Sequence, residues 1–213
     1  MPGALLAGGA VAALFASTFA VQSAPTATEV PSTRIEIGVR TVNGSGCPQG
    51  TAAVAVAGDN TAFTVTYSDY LAQVGAGADP TDLRKNCQLN LDVHVPQGFT
   101  YAVARVDYRG FAHLQDGASG TQQASYYFQG SPETSKQSHE FAGPYSDNWR
   151  TSDSTDYSAL VWAPCGENKN FNINSELRVN GGTSNTQDST SFMTMDSTDG
   201  SVSTLFQLAW KEC

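Results

Sequence analysis

The sequence predicts an all-β protein: two antiparallel sheets packed as a sandwich of jelly-roll or immunoglobulin-like type, stapled by disulfides, with little helix. Three observations carry that expectation. Apolar and polar residues alternate with a period of two through most patterned segments, turn-forming Gly, Pro, Asn and Asp punctuate them at short intervals, and no helical rhythm separates the strands as a parallel βαβ sheet requires.

The clearest alternation runs from Asn86 to Leu114. Leu89, Leu91, Val93 and Val95 alternate with Gln88, Asn90, Asp92 and His94. After the turn signal Pro96-Gln97-Gly98, Ala102, Ala104, Val106, Tyr108, Ala112 and Leu114 share one face, and Arg105, Asp107, Arg109 and His113 share the other. A hairpin is expected, with Val95 opposite Thr100, Leu91 opposite Ala104 and Leu89 opposite Val106, so that both apolar rows fall on one side. Upstream, Arg34–Val42 reads as a strand with Ile35, Ile37 and Val39 on one face. Thr51–Ala57 and Ala62–Tyr67 read as a pair joined at Gly58-Asp59-Asn60, with Phe63, Val65 and Tyr67 toward the core. From Ser68 to Lys85 the pattern weakens into a long connection with one helical turn at Pro80–Leu83. Downstream, Gln122–Gln129 is a strand, and 130–156 is a polar loop broken by a weak strand at His139–Ala142. Tyr157–Ala163 is an apolar run of central-strand type, and Phe171, Ile173, Leu177 and Val179 alternate with polar neighbours. Ser189–Asp196 and Ser201–Trp210 form a hairpin joined at Ser197-Thr198-Asp199-Gly200. About ten strands result.

The chain has 213 residues, 15% charged and 10% aromatic, with a net charge of -9 and a pI near 4.6. No basic patch offers the counterion release that nucleic acid or anionic membranes demand, so neither is an expected partner. Residues 3–20 form an uncharged apolar run ending in small residues, which reads as a signal peptide over 1–23 although a positive start is missing. Cleavage after Ser23 or Ala20 is expected. A membrane anchor is the weaker reading because the run is short and contains Gly8-Gly9. A mobile leader over 24–33 and a single domain over 34–213 follow, with no membrane contact after cleavage and a monomeric state. Cys47, Cys87, Cys165 and Cys213 imply two disulfides outside the cell. Three connectivities are open; sequence-local pairing favours Cys47–Cys87 with Cys165–Cys213, each contributing roughly 3 to 4 kcal/mol in the chain-entropy account. No close cysteine pair suggests a metal site.

Cys47-Pro48-x-Gly50-Thr51, DNTAFTVTYSDYLAQVG from Asp59, the whole 86–114 stretch, WAPCG at Trp162, NFNINSELRVN at Asn170 and SFMTMDSTDGS at Ser191 resemble a family of small secreted proteins of actinobacteria and fungi, catalogued as domain of unknown function number forty-three sixty. The resemblance covers essentially everything after residue 33. It implies secretion and a shared fold, and it supplies no reaction, substrate or catalytic residue.

Two clusters stand out as candidate sites. Asn90, Asp92, His94, Arg105, Asp107, Arg109 and His113 crowd the polar face of the expected hairpin, as an acid, base and cation cluster or a weak metal site through Asp92, His94 and His113. A wet sheet face with cross-strand ion pairs of roughly 0.2 to 1 kcal/mol each explains them more simply, and neither metal nor cofactor is expected. Tyr145, Asp147, Asn148, Trp149 and Arg150 lie in the polar loop and would make a sugar-binding platform. Against that stands a Trp149 folded back as a lid on the sandwich edge. The ladder Asn170, Asn172, Asn174 and Asn180 suits a solvated strand face, and Asp196–Gly200 lacks the ligand alternation of a calcium loop. With no G-x-S-x-G, phosphate loop or dinucleotide fingerprint, the expected function is a non-catalytic extracellular binding or envelope-associated module, for carbohydrate or cell-wall polymer. The alternatives are a hydrolase drawing acids from Asp92, Asp107 and Asp147, whose separation would decide it, and a protease inhibitor or effector presenting Ser68–Lys85.

Overall fold

The computed structural model describes residues 29–131, 135–195 and 204–213. In chain order these form β1 (Glu36–Asn43), β2 (Ala52–Val56), β3 (Ala62–Tyr67), β4 (Leu71–Gly75), β5 (Arg84–His94), β6 (Phe99–Leu114), β7 (Ser119–Phe128), β8 (Ser135–Ala142), β9 (Tyr145–Ser154), a 3-10 turn at Tyr157–Ala159, β10 (Phe171–Asn180), β11 (Thr190–Thr194) and β12 (Thr204–Glu212). One sheet has the order β1-β5-β10-β7-β8. The other has β2-β3-β12-β6-β11-β4, with β9 on the free edge of β6. Every pairing is antiparallel. The protein is thus all-β, with two sheets closed over one apolar core. Aromatic contacts bridge the layers: Tyr101 meets Phe128 edge-on at 5.6 Å, and Tyr126 meets Phe206 at 5.8 Å. Disulfides Cys47–Cys87 and Cys165–Cys213 pin the chain after β1 to β5 and the 160s to the final residue.

The 86–114 stretch is two strands, but not a hairpin. β5 pairs with β1 and β10, whereas β6 pairs with β12, β11 and β9, so the chain changes sheets at Pro96–Gly98. Val95 therefore does not meet Thr100, nor Leu91 Ala104. The apolar rows are buried as expected, Leu89, Leu91 and Val93 on β5 and Val106, Tyr108, Ala112 and Leu114 on β6, because facing each other across a core satisfies the same alternation as lying side by side. The final hairpin does not form either, although its two strands share a sheet. β11 and β12 follow one another along the same edge of β6, with Thr194 opposite Phe111 and Thr204 opposite Tyr108. The expected join Ser197–Gly200, the Asp196–Gly200 turn, the signal peptide over 1–23 and the leader up to 28 lie outside the described residues.

Other differences are local. Leu71–Gly75, read as part of a connection, is β4, bonded to β11, so Ser68–Lys85 is not one long projecting loop. The end of the expected mobile leader is held: Pro31 is buried, and Asn60 Nδ2 donates to the carbonyls of Pro31 and Thr33 at 2.8 Å each. Asn60 takes the left-handed conformation, φ 58°, in the predicted turn; its Oδ1 accepts from the Ile35 amide and its carbonyl from Trp210 Nε1. Tyr157–Ala163 is not a central strand. It begins as the 3-10 turn and continues extended along the mouth of the sandwich, where Leu160 alone is fully buried. Tyr145–Arg150 is not a loop but the first part of β9, paired along β6 from Arg105 to Leu114.

That last pairing buries Trp149. The ring is 2% exposed, lies 5.4 Å from Phe141, and rests on Gly110, where a Cβ would overlap both the ring and the Thr194 carbonyl oxygen. Trp149→Ala should therefore lower unfolding free energy by about 3 to 5 kcal/mol, read from the urea midpoint. A surface aromatic would cost no more than about 0.5 kcal/mol.

Candidate functional site

The fold splits the first cluster. Asp92 stands on the outer face of the β1-β5-β10 sheet, where Arg40 Nη2 donates to it at 2.7 Å, and His94 is exposed at the strand end opposite Glu36. Arg105 and Asp107 lie on the outer face of the other sheet. Arg105 Nε donates to Asp107 at 2.9 and 3.1 Å, Gln207 Nε2 at 3.0 Å, and the Ser152 hydroxyl also donates to it. The Arg105 bond holds the Asp107 carboxyl below its ordinary range. His113, also on that sheet, engages Ser146 Oγ and Gln115 Nε2, so it does not converge with Asp92 and His94. Asn90 links Asn170 and Asn172 by bonds of 2.8 and 2.7 Å, and Asn180 Oδ1 accepts from the Gly182 amide, while Asn174 sits between Gln88 and Ser125.

The second cluster is divided by strand alternation. Trp149 turns inward, whereas Asn148 and Arg150 stand on the outer face opposite Phe111 and Arg109. Tyr145 donates its hydroxyl to the Asn148 carbonyl, and Asp147 Oδ1 accepts the Asn148 amide. With Trp149 buried, these five residues present no tryptophan face to a ligand.

The sandwich instead gathers aromatic and polar side chains around clefts at one mouth. Residues 155–163 cross it as a strap with two sides. It is tied down by Thr155 N to Ala104 O at 2.9 Å, Ala163 N to Tyr101 O at 2.9 Å, Thr100 Oγ1 to Ala163 O at 2.6 Å, and the adjacent Cys165–Cys213 bridge. Outside, Tyr157 is 59% exposed and meets Trp162 at 5.5 Å, with planes at 70°. Lys211 Nζ stands 5.8 Å from the Trp162 ring centroid. Beside the pair lies a cleft of about 470 Å³ lined by Gln97, Phe99, Asn168, Glu167 and Lys169, and Glu167 and Lys169 continue it into a second depression under Trp162. Tyr157 and Trp162 escaped the sequence reading because their apolar run suggested a buried strand.

Beside the strap, Ala159 and Val161 border an open pocket of about 90 Å³, whose lining also includes the exposed Arg105 and Gln137. β9 turns Asp153 into it and β8 supplies His139, whose Nε2 lies 2.6 Å from Asp153 Oδ1. The Asp153 side chain is only 9% exposed, and its Oδ2 and the Tyr126 hydroxyl are buried without a hydrogen-bond partner. Burial raises the Asp153 carboxyl, with the His139 contact opposing; burial, and then the charges of Asp153 and Tyr67, push the Tyr126 phenol up. No spacing announces this pair, since it exists only because the β8 and β9 edges face each other.

Asp153 and Asp107 consequently respond to pH with opposite sign. Ionising Asp153 opposes folding, a penalty absent well below the ordinary value of 3.8 and complete above its raised folded-state value. Asp107 stabilises above the ordinary value and loses that contribution as pH falls through its lowered one. Between about pH 3 and about pH 6, Asp153→Asn should gain stability relative to wild type as pH rises, and Asp107→Asn should lose it, measured by urea midpoints.

Residues 33–213 match the family model described as domain of unknown function DUF4360. An uncharacterized secreted protein of Arthroderma benhamiae is 37% identical over 173 residues, covering 81% of this chain and 69% of that protein. Among solved structures, a chain of the Cowpea mosaic virus top component, naturally occurring empty particles, shares 9% identity over 86% of this chain and 91% of its own, at a TM-score of 0.26. A chain of the Cowpea mosaic virus empty virus-like particle shares 11% over 89% and 85%, at 0.23. Scores this low carry no inference about fold or function. The family model, by contrast, takes in both sheets, both disulfides and the strap, and on that match the chain belongs to the DUF4360 family.

Proposed function

We propose that the protein is exported and acts as a monomeric, non-catalytic binding module for an extracellular carbohydrate or cell-wall polymer, held at the strap end of the sandwich. The exposed Tyr157 against the half-buried Trp162, which lines a depression adjoining the terminal cleft, is the observation that carries this reading. Aromatic rings pack against the apolar C–H faces of sugars; Glu167 and Lys169 offer hydrogen-bonding groups in the depression lined by Trp162, and Gln97 and Asn168 in the adjoining cleft. The aromatic edge is rigid because the strap is bonded to β6 and the chain beyond it is bridged to the C-terminus. Export is supported by the apolar run at residues 3–20, the two disulfides and the description of the fungal relative as secreted.

The hydrolase alternative draws less support. Asp92 is on the outer face of one sheet and Asp107 on the outer face of the other. Asp147, opposite Ala112, is on the inward side of the second sheet at its edge, so the three do not share a cleft.

Pull-down on insoluble chitin, cellulose, β-1,3-glucan and peptidoglycan tests the proposal. The wild type should be retained on at least one polymer. The Tyr157→Ala, Trp162→Ala double variant should lose about tenfold in affinity, the effect of two stacking contacts of roughly 0.5 to 1.5 kcal/mol each. Trp149→Phe, an interior change, should leave retention intact. Failure of the wild type to bind any polymer, or undiminished binding by the double variant, overturns the proposal.

A further inference from the structure

The outer face of the β6 sheet sets two cations side by side. Arg109 on β6 stands directly opposite Arg150 on β9; the first is half-buried and the second exposed. Side chains so placed have Cβ atoms about 4.5 to 5.5 Å apart, and like charges there oppose folding. Arg40, Arg84, Arg105 and Arg178 each pair with a carboxylate, whereas among the described residues no carboxylate pairs with Arg109 or Arg150. The neighbouring Asp107 is already engaged by Arg105, Ser152 and Gln207. A repulsive pair of this kind calls for an anion from outside the chain. One step along the same face comes an aromatic cluster. Phe111 follows Arg109 by two residues, about 6.8 Å along an extended strand, and Phe192 on β11 lies 5.9 Å from Phe111 and 5.7 Å from His113. All three rings are half-buried, so part of each meets solvent. The exposed Asn148 stands opposite Phe111.

We propose that this face is a second binding surface, separate from the aromatic edge at the strap, and that it takes an acidic polysaccharide built of uronic acids. The carboxylate bridges Arg109 and Arg150, whose planar guanidiniums each offer paired donors to it. The pyranose ring that bears the carboxylate lies over Phe111 and Phe192, and Asn148 meets a ring hydroxyl. A uronate fits because its charge is attached directly to the sugar ring, so that one sugar residue spans neighbouring positions of one strand. A neutral sugar would leave the two arginines facing each other, and a phosphate chain has no C–H face for the rings. Two cations also fall short of the row of phosphate contacts on which nucleic-acid binding rests. The net charge of -9 repels polyanions at long range, so binding depends on this one local pair.

Three probes test the proposal on the full chain: pentagalacturonate, its methyl ester and a linear polyphosphate, titrated and followed by NMR at the Phe111 and Phe192 ring resonances. Pentagalacturonate should produce saturable shifts and bind at least tenfold more tightly than either the ester or the polyphosphate, with an affinity that falls as salt rises. Arg109→Gln should weaken it at least tenfold. Arg150→Glu supplies Arg109 with a carboxylate from within the protein, so it should abolish binding while keeping the urea midpoint at or above that of the wild type, which separates loss of the site from loss of the fold. Phe192→Leu should weaken pentagalacturonate several-fold and leave the polyphosphate unchanged. The Tyr157→Ala, Trp162→Ala variant should bind pentagalacturonate as the wild type does, so this surface and the strap edge stand or fall separately. Equal binding of the ester, polyphosphate binding as tight as that of pentagalacturonate, undiminished affinity in folded Arg150→Glu, or no saturable shift with any probe overturns it.

Discussion

Two rows of apolar side chains, one on β5 and one on β6, must be shielded from water, and the architecture follows from their being shielded from opposite sides of one core. Leu89, Leu91 and Val93 point from one sheet, and Val106, Tyr108, Ala112 and Leu114 from the other, all within one contiguous cluster. Burying each such side chain contributes roughly 1.5 to 3 kcal/mol, so the change of sheet at Pro96–Gly98 is a strong constraint. β6, at 16 residues, then becomes the spine of its sheet. It is bonded along one edge by β12 and then β11, and along the other by β9. Gly110 is the point at which that arrangement is tightest, because the Trp149 ring and the Thr194 carbonyl oxygen occupy the space a side chain would need.

Period-two alternation reports which face of a strand is buried and says nothing about its neighbour. That limit explains both the correct and the incorrect parts of the sequence reading. The inward sets on β3, β5 and β10, and on β6 from Val106 onward, are as their patterns indicate, whereas a bulge before Val106 turns Tyr101 toward the other sheet; the disulfides join the sequence-local cysteines. The β2–β3 hairpin forms at Gly58-Asp59-Asn60 as expected, whereas the hairpins expected over 86–114 and between β11 and β12 dissolve because partner choice depends on contacts far apart in the chain. β9 was invisible for a different reason: its inward row is Trp149, Thr151 and Asp153, too polar to show as alternation beside Asn148, Arg150 and Ser152. The strap misled in the opposite sense. Its apolar residues range from the buried Leu160 to the exposed Tyr157, which a sequence pattern cannot separate from a strand buried on two sides.

The candidate sites show the same division. Carboxylates on clean strands, Asp92 and Asp107, attract notice in the sequence, yet each is neutralised by an arginine on an exposed face. Asp153 lies in a polar run without a recognisable motif, but it is the carboxylate the fold desolvates. Its partner His139 is 14 residues away on a strand that is not hydrogen-bonded to β9; the two meet only because the edges of the two sheets oppose each other.

A single segment joins the aromatic edge and the pocket beside it. The strap carries the Tyr157–Trp162 pair and sets Ala159 and Val161 beside the pocket, and the Thr155, Thr100 and Ala163 bonds hold both faces in one frame. Cys165, two residues beyond Ala163, extends that frame through Cys213 to the end of β12. Because the anchors are backbone bonds at both ends of the segment, replacing a side chain on one face leaves the other in place. Releasing an anchor would disturb both faces together. The aromatic edge and the pocket beside it are therefore held in one frame, a consequence of closing the mouth of a sandwich with nine residues that are neither strand nor free loop.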